Sequence, residues 1–170
     1  MQLKLRPFLS DDVDDLVEHA NNYNVAKNLT NKFPYPYLRK DGEIFIEWAL
    51  SHDPTLIKAI EINGKVAGSI GIHPLTDIYG KSAELGYWIG EEFWGKGLVA
   101  KAVEEMLVYA FETFNINRVF ARTSHVNLAS QRVLLKSGFV QEAAFKETIF
   151  KYGEYYDELV FAFRKQKSSE

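Results

Sequence analysis

Gly95, Lys96 and Gly97, followed by apolar residues at helical spacing, have the types and order needed to hold an anion. Val99, Val103, Met106, Leu107, Ala110 and Phe114 recur at steps of three and four, which puts them on one helical face. The first amides of such a helix find no acceptor inside it, and the macrodipole places partial positive charge there. Gly95 and Gly97 carry no Cβ, so the backbone can come close to a phosphate, and Lys96 adds a cation between them. An apolar strand from Glu84 to Ile89 leads into the turn. Strand, glycine turn and helix, residues 84–114, together predict a pyrophosphate site.

Which pyrophosphate is bound decides the function. Gly95-x-Gly97-x-x-Ala100 satisfies the dinucleotide fingerprint G-x-G-x-x-G/A, but its context fails. The five residues Gly90 to Trp94 separate the strand from the first glycine. No carboxylate for the ribose follows at the required distance of about 20 residues, since the next strand ends Ala121-Arg122-Thr123-Ser124. A phosphate loop would need Ser or Thr after Gly95-Lys96, and Gly97 stands there. A nicotinamide-dependent oxidoreductase is kept only as a remote alternative.

A chain of 170 residues fits one domain, 1–170. Its 46% hydrophobic and 25% charged content is that of a soluble globular protein. A net charge of −3 argues against nucleic acid as a partner. The absence of cysteine removes disulfides, thiolate catalysis and cysteine zinc sites. His19, His52, His73 and His125 lack ligand spacing, so no metal is expected. No apolar run approaches the roughly 20 residues that span a bilayer, and the first residues lack a signal-peptide core. No membrane partner and a cytoplasmic location are therefore expected.

The elements that must position this turn are legible from pattern and punctuation. A first strand occupies residues 1–6, and Ser10-Asp11-Asp12 supplies a cap and first-turn acids for a helix from Asp11 to Asn21. A short helical piece covers Val25 to Leu29, and a helix from Asp41 to Ser51 carries Ile44, Phe45, Trp48 and Ala49 on one side. Strands Leu56–Ile62 and Lys65–Ile72 meet at Asn63-Gly64, a strong hairpin signal. After the long helix, Arg118–Thr123 is a strand parallel to the one at Glu84–Ile89. Asn127 caps a helix that stops at Gly138, and Phe139–Ile149 pairs with Tyr155–Phe163 around Gly153. Residues 165–170 form a polar, frayed tail. These elements make a mixed α/β sheet of about seven strands, antiparallel except for one central parallel pair.

The run Gly86 to Val103, GYWIGEEFWGKGLVAKAV, resembles the acetyl-coenzyme A loop of the GNAT superfamily of N-acetyltransferases. It is nearest to the branch of ribosomal-protein N-terminal (alanine) acetyltransferases. The pattern Q/R-x-x-G-x-G/A aligns with Trp94-x-x-Gly97-x-Val99, so Trp94 and Val99 depart from it. Asn127-Leu-Ala-Ser130 and Ser137-Gly138-Phe139 extend the resemblance. It implies a sheet whose parallel pair splays, with helices on both faces, and acetyl-CoA as cofactor. It also implies that Trp94, Gly95, Lys96, Gly97, Leu98, Val99 and Ala100 hold the diphosphate. Tyr87, Trp88 and Ile89 would bond the pantetheine arm, Asn127 would bind the cofactor, and Ser130 would lie near the sulfur.

Acetyl transfer to a primary amine needs a base for the amine, a donor for the carbonyl oxygen and a proton for the leaving thiolate. No covalent intermediate is required. Glu84 is the first candidate base, a lone acid among Ala83, Leu85, Tyr87 and Ile89 whose burial would raise its pKa. An edge-facing or salt-bridged glutamate is the alternative. His125, at the end of the second parallel strand, is the rival base or an ordinary structural histidine. Ser130, or a tyrosine among Tyr152, Tyr155 and Tyr156, is the candidate acid. Phe33, Tyr35 and Tyr37, in a loop over residues 30–38, line an acceptor pocket or fold back on the core. Glu147 joins the acceptor side if strand alternation holds past Phe145 and Ile149. The acceptor is a protein N-terminus or a small amine, and the protein is a monomer or homodimer. The alternative from another class is an acyl-CoA-binding sensor or scaffold without turnover.

Overall fold

The computed structural model describes residues 1–165, so the tail predicted for 166–170 lies outside the described residues. Lys165 itself donates its backbone N–H to Asn117 O at 2.9 Å. Seven strands form one sheet: β1 (Leu3–Arg6), β2 (Ile57–Ile62), β3 (Lys65–Pro74), β4 (Ser82–Ile89), β5 (Arg118–Ser124), β6 (Val140–Lys151) and β7 (Glu154–Arg164). Their order is β1-β2-β3-β4-β5-β7-β6, and β4 and β5 are the parallel pair. Among the described residues five α-helices accompany them: α1 (Val13–Ala20), α2 (Tyr23–Ala26), α3 (Arg39–Leu50), α4 (Leu98–Thr113) and α5 (Leu128–Lys136). Among the described residues no helix is long and apolar enough to cross a membrane.

Contacts divide the chain into two compact units, Met1–Gly71 with Gly86–Met106, and Ile72–Leu85 with the residues from Leu107 onward. In the first unit, Asn63 (φ 52°) and Gly64 (φ 86°) take the left-handed pair that a two-residue hairpin needs, and β2 and β3 pair on either side. The ladder slips between Ile60 and Glu61, which inserts Ala67 of β3 as a bulge. The core gathers Phe8, Leu16, Ile46, Tyr37, Val66 and Trp88. Arg6 bridges Asp12 at 2.7 and 2.9 Å, and Asp12 also accepts the Leu9 N–H at 2.7 Å. That bond corrects the expected cap. Asp12 closes the turn Ser10–Asp12 from its far end, and Ser10 does not cap it.

The face of α3 also differs from expectation. Gly42, Ile46 and Ala49 are buried, whereas Ile44 and Trp48 are exposed. Two interleaved apolar stripes run along this helix; Gly42 lets Val13 and Val17 of α1 come close, and Ile46 shares their buried cluster. In α4 the predicted stripe is correct at its centre. Val103, Met106, Leu107 and Ala110 are buried, Ala102 joins them, and Val99 and Phe114 sit at the margin.

In the second unit, β5 pairs with β7 along its whole length and β7 with β6. Phe120, Val160 and Ala162 form one buried cluster, and Phe111 and Phe139 pack their rings on Phe163. Beyond Phe145 the β6 register jumps: Phe145 faces Glu158 but Ile149 faces Tyr156, so four steps on one strand meet two on the other. Glu147 lies inside that bulge at φ 53° and donates its N–H to Asp157 Oδ1 at 2.9 Å. The alternation that placed Glu147 with Phe145 and Ile149 therefore does not hold.

Candidate active site

The end of β4 and the turn after it are held by the first unit's own backbone. A Cβ on Gly68 would lie 2.2 Å from Trp88 O, so only glycine lets β3 close on the buried end of β4. Gly90 then donates its N–H to the bulged Ala67 O at 2.8 Å. Gly90 N–H and its missing Cβ together fix the exit of the strand, since a Cβ there would meet the His19 ring at 2.9 Å. A single 3-10 turn, Glu91–Phe93, follows. Glu91 accepts from Asn22 Nδ2 at 2.8 Å and from Asn24 Nδ2 at 3.0 and 3.2 Å, and these bonds, Asn22's first, hold its carboxyl below the usual range. Glu92 approaches His19 Nδ1 at 3.4 Å, and the His19 ring meets Phe93 edge-on.

Trp94 closes the turn. Its indole Nε1–H donates to Ile89 O at 3.0 Å, tying the last residue of the turn to the last residue of the strand. The sequence pattern held no sign of this bond, and it gives Trp94 a role that a Gln or Arg side chain could fill with its own N–H. Gly95 and Gly97 both take φ of 72°, and nothing stands within 4 Å of the Cβ position at Gly95. Lys96 is exposed over the Phe93 ring at 5.7 Å. Leu98 and Ala100 are buried and seat the head of α4, while Val99 is half-buried. The helix opens with Lys101 N–H reaching back to Gly97 O at 3.5 Å, so the amides of Leu98, Val99 and Ala100 have no acceptor within the helix. An open, glycine-lined turn with free-standing helix amides fits a diphosphate.

Tyr87 is half-buried, and Trp88 and Ile89 are buried. Phe33 packs on Trp88 at 5.4 Å and on Tyr37 at 4.9 Å. Tyr37 lies in the core, its N–H on Asn21 Oδ1, and burial with the nearby Asp41 charge pushes its phenol up to about 12. Of the three loop aromatics only Tyr35 is exposed, ring to ring with Tyr23 at 5.6 Å. Tyr37 and the half-buried Phe33 turn toward the core, while most of residues 30–38 is exposed.

In the second unit, the parallel ladder pairs Ser82 with Arg118, Ala83 with Val119 and Glu84 with Phe120. Glu84 is not the buried acid expected from its apolar neighbours. Its side chain is 36% exposed and its Oε1 lies 3.4 Å from Arg122 Nε. Arg122 stands two residues beyond Phe120 and so shares its face of the sheet, with its guanidinium 5.5 Å from the Phe120 ring. Water can reach Glu84 directly, which suits a base acting through a solvent molecule.

His125 is exposed, and its Nδ1 accepts the Asp157 N–H at 3.0 Å. A backbone N–H can only donate, so the neutral ring carries its proton on Nε2 and presents a donor outward. Asp157 also binds Glu147, and the sequence offered no signal for its role at this corner. Asn127 caps α5 as expected, its Oδ1 accepting from Ser130 N at 3.2 Å. Ser130 is half-buried beside it. Gln131 Nε2 donates to Ser124 O at 3.2 Å and to His125 O at 2.9 Å. Tyr152 and Tyr155 are exposed, and Tyr156 lies 6.2 Å from the His125 ring.

Comparison with known proteins agrees with this geometry. The acetyltransferase (GNAT) domain family matches residues 2–140. YdaF of Bacillus subtilis, which carries a provisional ribosomal N-acetyltransferase name, is 31% identical over 105 residues, 62% of this chain; the chain spans 57% of YdaF. The spermidine N(1)-acetyltransferase of Escherichia coli is 24% identical over 159 residues, 90% of this chain and 81% of that one. Among solved structures, the ribosomal-protein alpha-N-acetyltransferase RimL with coenzyme A bound superposes with a TM-score of 0.84 at 22% identity, covering 96% of this chain and 94% of RimL. The nicotinamide alternative is overturned by the family match, and the chain belongs to the GNAT family of acetyltransferases, whose acyl donor is acetyl-CoA.

Proposed function

We propose that this chain transfers an acetyl group from acetyl-CoA to a primary amine by direct attack in a ternary complex, and that a protein N-terminus is the acceptor. The observation that carries the reading is the turn from Gly90 to Ala100. Its glycines at φ 72° and the helix amides after them form a bed for a diphosphate. The backbone of Tyr87, Trp88 and Ile89 is proposed to orient the pantetheine arm. Asn127 and Ser130 are proposed to lie at its sulfur end. The ribosomal-protein names among the relatives favour a polypeptide acceptor, while the spermidine enzyme keeps a small polyamine as the second class to test.

Acetyl-CoA supplies an activated acyl carbon and a thiolate leaving group. Glu84, open to solvent, takes the proton that the attacking amine must lose, through a water molecule. As the new C–N bond forms and the C–S bond breaks, Ser130 donates a hydrogen bond from its hydroxyl to the departing thiolate, and the proton taken up at Glu84 returns to that sulfur through solvent. His125 Nε2–H is proposed as a second hydrogen-bond donor. Phe33 and Tyr35 are proposed to border the acceptor, Phe33 through its contact with Trp88. Tyr37 supports that loop from the core. Thiol release measured against a panel of N-terminal peptides and polyamines tests the reading. Turnover with peptides above that with polyamines is expected, and no thiol release with any amine would overturn it.

A further inference from the structure

Three arginines of the second unit share one face of the sheet, and they are not treated alike. Arg118 and Arg164 stand directly opposite each other on β5 and β7, a like-charged pair that would repel. Glu142 offsets the repulsion by lying 2.7 Å from each, and Arg118 also reaches Ser82 Oγ at 3.3 Å. Arg122 has no such neutraliser. It faces the apolar Val160 across the ladder, and its side chain is 51% exposed. Its one ionic contact among the described residues is Glu84, reached through Nε at 3.4 Å. Glu158, opposite Ser124 on the same face, forms no ion pair with it. A contact that long between two partly exposed groups contributes little, and it leaves the two terminal nitrogens of the guanidinium unused. The guanidinium also stands 5.5 Å over the Phe120 ring, which Arg118 shares at 4.6 Å. An aromatic face beneath it presets the fork while its outer donors stay open to solvent.

We propose that Arg122 is a specificity-determining residue, whose guanidinium binds a carboxylate carried by the second residue of the acceptor peptide. This rests on the proposed function, in which Glu84 takes the proton of the attacking amine, and it names the kind of N-terminus favoured. An amine served through one water at Glu84 brings the first residues of its peptide to the guanidinium that touches the same side chain. Glu84 keeps Nε, and the substrate takes the terminal nitrogens. Two parallel N–H donors in one plane match a carboxylate in bidentate fashion. A polyamine brings further ammonium groups to the same place and meets a like charge there. The one fork thus attracts an acidic N-terminus and disfavours a polycation.

The test compares thiol release with peptides that differ only at their second residue, aspartate, asparagine or lysine, each with an amidated C-terminus. Wild type, Arg122→Gln and Arg122→Lys are assayed at saturating acetyl-CoA. Wild type is expected to show a kcat/KM about tenfold higher for the aspartate peptide than for the asparagine peptide, with the lysine peptide lowest. Arg122→Gln is expected to bring the aspartate-to-asparagine ratio to about one, while Arg122→Lys keeps part of it as a point charge without the fork. The ratio is taken within one variant, so any effect of the substitution on Glu84 or on folding cancels from it. Two results overturn the inference and leave acetyl transfer to N-termini standing: equal turnover of the aspartate and asparagine peptides by wild type, or a ratio in Arg122→Gln as large as in wild type. No thiol release by wild type with any peptide would instead refute the proposed function, and this inference with it.

Discussion

Replacing Trp94 with phenylalanine separates the shape of the cofactor turn from its composition. Phenylalanine keeps an aromatic ring at a position already 41% exposed, so little apolar burial is lost. What disappears is the indole N–H that reaches Ile89 O at 3.0 Å. A neutral hydrogen bond of this kind contributes about 0.5–1.5 kcal/mol net, and the carbonyl of the buried Ile89 loses this donor. For a chain of this size, about 1 kcal/mol lowers the melting temperature by about 2–4 °C. The larger consequence concerns binding. Two bonds of the short 3-10 turn survive, Phe93 N–H to Gly90 O and the residue-94 backbone N–H to Glu91 O. The tie between turn and strand does not, so the ligand must order the residues before Gly95 when it binds. That ordering removes about 0.5–1.5 kcal/mol from the binding free energy, a loss of about two- to twelvefold in coenzyme A affinity. Thermal unfolding and titration calorimetry read the two quantities separately. A Trp94→Phe protein that melts lower yet binds coenzyme A as tightly as wild type would refute the idea that the indole presets the turn.

Three further outcomes follow from the same geometry. Gly95→Ala meets no atom but must hold φ near 72°, so it is expected to cost about 1 kcal/mol of stability, while the added methyl blocks the diphosphate and weakens coenzyme A by more than tenfold; equal losses in both would contradict the site. Glu84→Gln removes a partner from a largely exposed Arg122, so stability should change by less than about 1 kcal/mol while turnover falls about 10²-fold or more at unchanged acetyl-CoA affinity; full turnover would remove Glu84 from the mechanism. Glu142 lies 2.7 Å from both Arg118 and Arg164, which, Arg118 first, hold its carboxyl below the ordinary range. Its folded pKa is thus depressed, so its contribution is present above the ordinary carboxylate pKa and is lost as the pH falls through the depressed value. Because all three groups are partly exposed, Glu142→Gln should cost about 0.5–1 kcal/mol at neutral pH and nothing in strong acid; a difference that persists in acid would show that packing, not charge, is at work.

Those residues also show how far the sequence could be read. Asn63-Gly64 and Asn127 act through local chemistry, a left-handed turn and a helix cap, and both stand where the pattern put them. The α4 stripe is read equally well because Lys101, Glu104, Glu105 and Glu112 mark the opposite face, although Val108 is exposed among them. Local pattern fails where a partner comes from elsewhere. On α3 two apolar faces compete, and only the approach of α1 at Gly42 selects Ile46 over Ile44 and Trp48. Glu84 is apolar-flanked along its own strand, yet its environment is set by Arg122 across the ladder. Period-two alternation cannot foresee the bulge that takes Glu147 to Asp157. The indole bond from Trp94 to Ile89, and the grip of Asn22 and Asn24 on Glu91, join residues that no spacing rule connects.

Amide hydrogen exchange across residues 90–101, with and without coenzyme A, bears most directly on the claim that the head of α4 holds the diphosphate. The amides of Gly97, Leu98, Val99 and Ala100 have no helical acceptor and should exchange fast in the free protein, then slow sharply when coenzyme A is bound. Protection that appears only elsewhere in the chain, with these amides as fast as before, would contradict the account.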